Sequence, residues 1–125
     1  MELETGVQRL LDACTSGDAS LIAPVLHPDF VAIGVEDGLY LNADGPTYLR
    51  FLERQARGRA PLARVEWIDL RHRVAAGCLV QEEPEARRTT FLTMLWCEEG
   101  WRIVTATIGV EAAPVARAER RVRLQ

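Results

Sequence analysis

Across the stretch from Arg64 to Val110 apolar side chains alternate along the chain, whereas before it they recur every three or four positions. That change of period restricts the fold more than any other feature, because the two spacings belong to strands and helices respectively. In the first half, Val7, Leu10, Leu11 and Cys14, with Leu3 a turn earlier, share one side of a helix whose other side is Gln8, Arg9 and Asp12. Gly17 is placed to end that helix, and Asp18 to cap a short second one carrying Leu21, Ile22, Val25 and Leu26. His27-Pro28 stops it, because proline drives the residue before it out of the helical region. Phe30 to Val35 reads as a strand, Asp37-Gly38 as a tight turn, and Leu39-Tyr40-Leu41 as the return strand. Asn42 or Asp44 caps a third helix beginning near Pro46, with Tyr48, Leu49, Leu52 and Ala56 on its apolar side and Gly58 at its end.

After the change, strands are expected over 64–74, 77–83, 87–97 and 101–110. Their turns fall at Ala76-Gly77, near Pro84, and at Glu99-Gly100. Three helices segregated to one side of an antiparallel meander make an α+β domain. It spans 1–110, followed by a tail over 111–125 whose Arg117, Arg120, Arg121 and Arg123 leave little to bury.

At 125 residues the chain matches the usual length of one domain. All 15 basic residues are arginine, which excludes a Schiff-base lysine and a phosphate-loop lysine and points to a GC-rich, bacterial genome. A net charge of -3 gives no general attraction to nucleic acid. There is no apolar run of membrane-spanning length, and the acidic start Met1-Glu2-Leu3-Glu4 fits a cytoplasmic protein. Cys14, Cys78 and Cys97 lack CxxC spacing and read as reduced thiols. His27 and His72 stand alone, so neither a metal nor a cofactor is expected.

Alternation sorts the strand faces. Ile68, Leu70, His72 and Val74 are expected to face inward, opposite Asp69, Arg71 and Arg73. In the last hairpin, Leu92, Met94, Trp96, Trp101 and Ile103 fall on one face, and Phe91, Thr93, Leu95, Cys97, Ala106 and Ile108 on the other. Both faces are apolar, and three short helices cover only one. The second set is read as inward. The first exceeds the apolar patch a monomer normally exposes, so a homodimer through Met94, Trp96, Trp101 and Ile103 is expected, with Trp67 also at the interface.

Three runs resemble the nuclear transport factor 2-like superfamily: Val7-Gln8-Arg9-Leu10-Leu11, Ser16-Gly17-Asp18 and Leu26-His27-Pro28-Asp29-Phe30. The closing Leu95-Trp96-Cys97-Glu98-Glu99-Gly100-Trp101-Arg102-Ile103-Val104 resembles its ending. The resemblance covers roughly residues 5 to 110, and is greatest to the SnoaL-like, lumazine-binding and unknown-function bacterial branches. It implies a cone-shaped half-barrel, three N-terminal helices on a curved, mostly antiparallel sheet, a pocket between them, and a homodimer packed sheet to sheet. Function does not follow from such a fold. Ketosteroid isomerases of the superfamily need a tyrosine and two aspartates, and the corresponding positions here are Leu10, the neighbourhood of Val35, and Thr93. That mechanism is therefore not expected.

The candidate ligand-binding residues are Tyr48, His72, Thr93, Cys97 and Arg102. His72 is the one inward group that titrates near neutrality, hence the candidate acid or base. Tyr48 brings a hydroxyl from the third helix. Thr93 and Cys97 line the neighbouring strand, and Arg102 can meet an anion at the rim. His27 and Asp29 are read as fixing the helix-to-strand corner. The expected function is small-molecule binding in a mostly apolar pocket. The alternatives are a cofactor-independent isomerase, cyclase or hydrolase using His72, and a dimeric interaction module with its core plugged by Leu10, Phe51, Phe91 and Leu95.

Overall fold

The heptad-like run Leu3, Val7, Leu10, Leu11 and Cys14 buries one side of α1 (Leu3–Ser16) in the computed structural model, which describes residues 2–36, 39–56 and 62–112. Gly17 ends the helix at φ 76°, the left-handed conformation that glycine adopts without steric penalty, and its N–H donates to the Ala13 carbonyl. Asp18 caps the next segment by accepting from the Ser20 N–H at 3.1 Å. The second helix expected there is instead two short 3₁₀ turns, Ala19–Leu21 and Ala23–Val25. Pro24 accounts for this, since its ring and missing N–H leave no continuous α-helical ladder through the segment. α2 (Gly45–Ala56) is capped by Asp44, whose carboxylate accepts the Thr47 N–H at 3.0 Å; hydrogen bonding to Thr47 holds its pKa below the ordinary carboxylate value.

Six strands form one mixed sheet: β1 (Leu26–Glu36), β2 (Leu39–Asp44), β3 (Leu62–Arg71), β4 (Val74–Glu82), β5 (Ala86–Cys97) and β6 (Gly100–Ala112). Their spatial order is β2-β1-β6-β5-β4-β3, antiparallel throughout except for the parallel β1–β6 pair that closes the N-terminal hairpin onto the meander. Phe30, Ala32, Leu79, Leu92, Met94, Ile103, Ala106 and Ile108 meet the buried sides of α1 and α2 in one core. Gly34 lets β1 and β6 approach there, because a Cβ at that position would lie 2.5 Å from the Ile108 carbonyl oxygen. No helix among the described residues is long and apolar enough to cross a membrane. The Asp37-Gly38 turn, Gly58 and the arginines of the tail lie outside the described residues.

Two features of the strands differ from the sequence reading, and both concern phase. The β3–β4 turn is His72-Arg73, not Ala76-Gly77. Here His72 takes the positive φ of 59° that a two-residue hairpin turn demands, a conformation histidine tolerates better than most residues. Gly77 remains inside β4, where its missing side chain makes room for the Met94 methyl, 3.4 Å from where a Cβ would stand.

The second difference turns β5 over. Arg88, Thr90, Leu92 and Met94 point toward the helices and are buried, while Phe91, Thr93 and Leu95 point to the opposite face and are exposed. A bulge where Thr93 pairs with Thr105 but Met94 with Ile103 lets Ile103 join Ala106 and Ile108 on the inner face. The expected outer-face interface is therefore corrected: Met94 is 3% and Ile103 1% exposed, both inside the core. Trp101 packs against that core, and Trp96, edge-on to it at 5.8 Å, is exposed at the end of the hairpin. Of the residues expected to plug the interior, Leu10 is buried and Phe51 packs against the core, but Phe91 and Leu95 face outward.

Candidate functional site

On the inner side of the sheet, side chains directly opposite one another form rows across the strands. One row runs Ile68–Gly77–Leu92–Ala106–Ala32 and is wholly apolar. Two rows away lie Ala63, Gln81, Arg88 and Val110, so the inner face grades from aliphatic to polar along β4 and β5. Thr90, paired with Leu79, lies between them. Arg88 is 7% exposed, and Gln81, Arg88 and Thr90 are the buried polar or charged residues among those described.

The helices bring polar groups to the same place. Cys14 arrives from the last turns of α1 and Tyr48 from the first turn of α2, and their thiol and hydroxyl are hydrogen-bonded partners. Arg88 acts electrostatically on both, and its guanidinium carbon lies 5.7 Å from the Phe51 ring centroid, within cation–π range. Tyr48 stands between two aromatic neighbours, 5.0 Å from Phe30 and 6.2 Å from Phe51, the latter stacked at 23°.

Burial decides how these groups behave. Desolvation pushes the Cys14 thiol up to about 12, against the smaller opposing effects of Arg88 and the Tyr48 hydroxyl. Desolvation also carries Tyr48 well above its ordinary 10.0, reinforced by Cys14 and opposed by Arg88. Both are neutral at pH 7. Cys14 is thus no thiolate nucleophile. The site offers hydrogen-bond donors around one permanent cation, within an apolar and aromatic shell.

Of the residues chosen from sequence, Tyr48 is in this cluster and the others are elsewhere. His72 is exposed in the β3–β4 turn, so its role as an acid or base for an interior ligand loses its geometric footing. Thr93 faces outward and shares a 2.5 Å hydrogen bond with Thr105. Cys97 lies at the end of β5, its thiol 3.8 Å from the Leu95 carbonyl oxygen. Arg102 ties the last hairpin to the 3₁₀ turns, donating to the Pro24 carbonyl and pairing with Glu99 at 3.0 Å. His27 holds the corner into β1, its Nδ1 accepting the Asp29 N–H at 3.0 Å. Arg88 and Gln81 were missed. A signal existed: adjacent Arg87-Arg88 within a strand must put one guanidinium on each face.

This arrangement can be set beside proteins of known sequence and structure. The family described as "Putative lumazine-binding" matches residues 2–108, nearly the whole described chain. The chain belongs to that family. Solved structures described as nuclear transport factor 2-like share its fold. A nuclear transport factor 2-like protein of unknown function from Silicibacter pomeroyi superposes with a TM-score of 0.74 at 20% identity, over 89% of this chain and 92% of that one. A ketosteroid isomerase-like protein from Erwinia carotovora atroseptica gives 0.69 at 11% identity, over 86% and 92%. A domain of unknown function with a cystatin-like fold from Nostoc punctiforme gives 0.64 at 15%, over 82% and 71%. At such identities the likeness is one of fold. No curated protein matches the chain significantly.

In this lumazine-binding family member the ketosteroid isomerase positions are occupied by groups that cannot do that chemistry. Leu10 is an aliphatic core residue, Val35 is exposed on the outer face, and Thr93 is turned away from the interior.

Proposed function

We propose that the chain is a small-molecule-binding domain whose ligand lies between α1, α2 and the inner face of β4 and β5. The observation that carries this reading is the convergence of Cys14, Tyr48, Gln81 and Arg88, from four separate elements, inside an otherwise apolar shell. Ligand sites have that composition: mostly apolar walls with a few placed polar groups that fix orientation. The family's description as lumazine-binding, a small planar heterocycle, agrees in scale with the aromatic neighbours Phe30, Tyr48 and Phe51. The cone-shaped half-barrel of the superfamily would leave its opening in this region.

Hydrogen exchange with lumazine and related bicyclic heterocycles tests the reading. A bound compound slows exchange of the amides of α2, β4 and β5. Slowing confined to the outer edge strand β3, or no compound raising the melting temperature, contradicts it.

The opposite face of the sheet supports a homodimer as part of the same proposal. Ile33, Thr107, Phe91, Cys78 and Trp67 form one cross-strand row, with Phe91 51% exposed and its ring 6.0 Å from Trp67. Leu95, Val74 and Val35 extend the exposed apolar surface. Light scattering should give a dimer for the wild type and a monomer for Phe91→Asp, since an unpaired buried charge opposes association. A wild-type monomer at micromolar concentration refutes it.

A further inference from the structure

The outer face of the sheet is exposed at one end and shielded at the other, although neither α1 nor α2 lies on it. Val74, Phe91 and Leu95 are exposed there, whereas Val80, further along β4 on the same side, is 2% exposed. Val35, in the same cross-strand row as Val80, is 52% exposed, so the shielding is confined to the β3–β5 side. The cross-strand neighbours of Val80 are Arg64 and Thr89, which bring only a charged stem and a methyl. Around it, the ends of β3 to β6 and the β4–β5 turn carry Glu66, Glu82, Glu83, Glu85 and Glu111 against Arg64 and Arg87. The chain holds a segment of opposite sign. Four of its 15 arginines and one of its 18 carboxylates fall in the last thirteen residues, 113–125, which therefore carry +3; 11 and 17 remain in the first 112, a net -6. From this we infer that residues 113–125 dock on the chain's own outer face, across the ends of β5 and β4, with their arginines against those carboxylates and Val115, Val122 and Leu124 over Val80. The inference rests neither on the ligand site nor on the dimer, and leaves the Phe91 end of the face open to a second copy.

Reach and chemistry agree with that occupant. β6 ends at Ala112 beside Ala86, and Val80 lies three residues along β5, at its partner Thr89, and one strand further over. At ladder spacings that distance is about 14 Å. Thirteen residues cover about 20 Å as a helix and about 43 Å extended, so the segment reaches Val80 in either form. Glu66 and Glu82 already pair with Arg64 and Arg87, and further guanidiniums would meet the carboxylates left in excess at that end. The body of a second copy, itself net negative, would be repelled from the same place. Each contact at such a partly solvated rim is weak and screened by salt, so the segment is a cover that charge holds and ionic strength loosens.

Alkylation by iodoacetamide of a thiol introduced through Val80→Cys reads the cover, with each cysteine assigned by peptide mass spectrometry. At low salt it should react slowly. In about 1 M sodium chloride, or with Arg117→Gln, Arg120→Gln, Arg121→Gln and Arg123→Gln combined, it should react about tenfold faster. Cys14, on the inner face, should keep its rate throughout, and Arg57→Gln with Arg59→Gln should change nothing. The tail effect should persist unaltered over a wide dilution range. In a chain with Val80 unchanged, trypsin gives a second measure. Glu66→Gln with Glu82→Gln should speed cleavage after the tail arginines about tenfold, while circular dichroism shows the fold retained. Rates indifferent to the tail arginines and to the two glutamates, or moved as much by Arg57 and Arg59, overturn the docking. So does an equal rise at Cys14, which reports opening of the whole molecule. A tail effect present only at high concentration assigns the tail to a second copy and overturns docking on the chain's own face. None of these outcomes bears on the ligand site or on the Phe91 interface.

Discussion

Arg87 and Arg88 are consecutive in sequence, yet one belongs to a partly exposed ion-pair network and the other to the interior beside a thiol, a phenol and a phenyl ring. The outer network of Arg64, Glu66, Glu82 and Arg87 is the kind that solvent screens, in which each pair contributes little. The inner arginine is desolvated, and the thiol and phenol near it are held neutral by burial. The contrast teaches that strand phase, not residue type, decides which arginine of β5 is partly solvated and which is buried.

The largest effect should come from reversing the inner charge. Arg88→Glu places a carboxylate among apolar and aromatic groups and should cost about 3–5 kcal/mol in urea unfolding. The same change at Arg87, beside Glu66 and Glu82 on the outer side, should cost about 1 kcal/mol. Comparable losses at the two positions would erase the distinction.

Alkaline pH should sharpen it. An unfolded Cys14 ionises near its ordinary 9.0, whereas the buried thiol does so only at about 12. Above 9 the unfolded state therefore loses protons that the folded state keeps, and the stabilising contribution present below 9 disappears as pH rises toward 12. Tyr48, raised above 10.0 by the same burial, acts in the same direction. Stability should thus fall across this window, and Cys14→Ala should flatten the fall, by at most on the order of 4 kcal/mol. An unchanged alkaline limb in the variant would mean that Cys14 is not buried in this way.

The smallest effect is expected on the outer face. Thr93→Val removes the hydrogen bond to Thr105 and should change stability by about 1 kcal/mol or less. A loss of several kcal/mol would place Thr93 in the interior and invert the phase of β5.

How much of this was legible beforehand can be judged residue by residue. Gly17 and Asp18 announced their boundaries, and Asp44 was one of two caps offered beside Asn42, because capping chemistry is local. Alternation announced the strands. Phase was another matter, because β5 reads Arg-Arg-Thr-Thr-Phe-Leu, placing nearly the same residue types on both faces. Only the tertiary context, which covers Leu92 and Met94 with helices, breaks that symmetry. Gly77 misled for a related reason: it serves close packing inside β4, and a histidine occupies the turn where glycine was expected. Tyr48 was found because its helix face was unambiguous, and Arg88 was missed because its strand face was not.

The most direct test of the account is the Nε–Hε signal of Arg88 in a ¹H–¹⁵N spectrum, assigned through Arg88→Lys. Lying over Phe51, it should be shifted by the ring and protected from solvent exchange, while the Arg87 signal, in the outer ion-pair network, exchanges faster. If the Arg87 signal is the protected one and that of Arg88 exchanges freely, the inner face has been assigned to the wrong side of the strand.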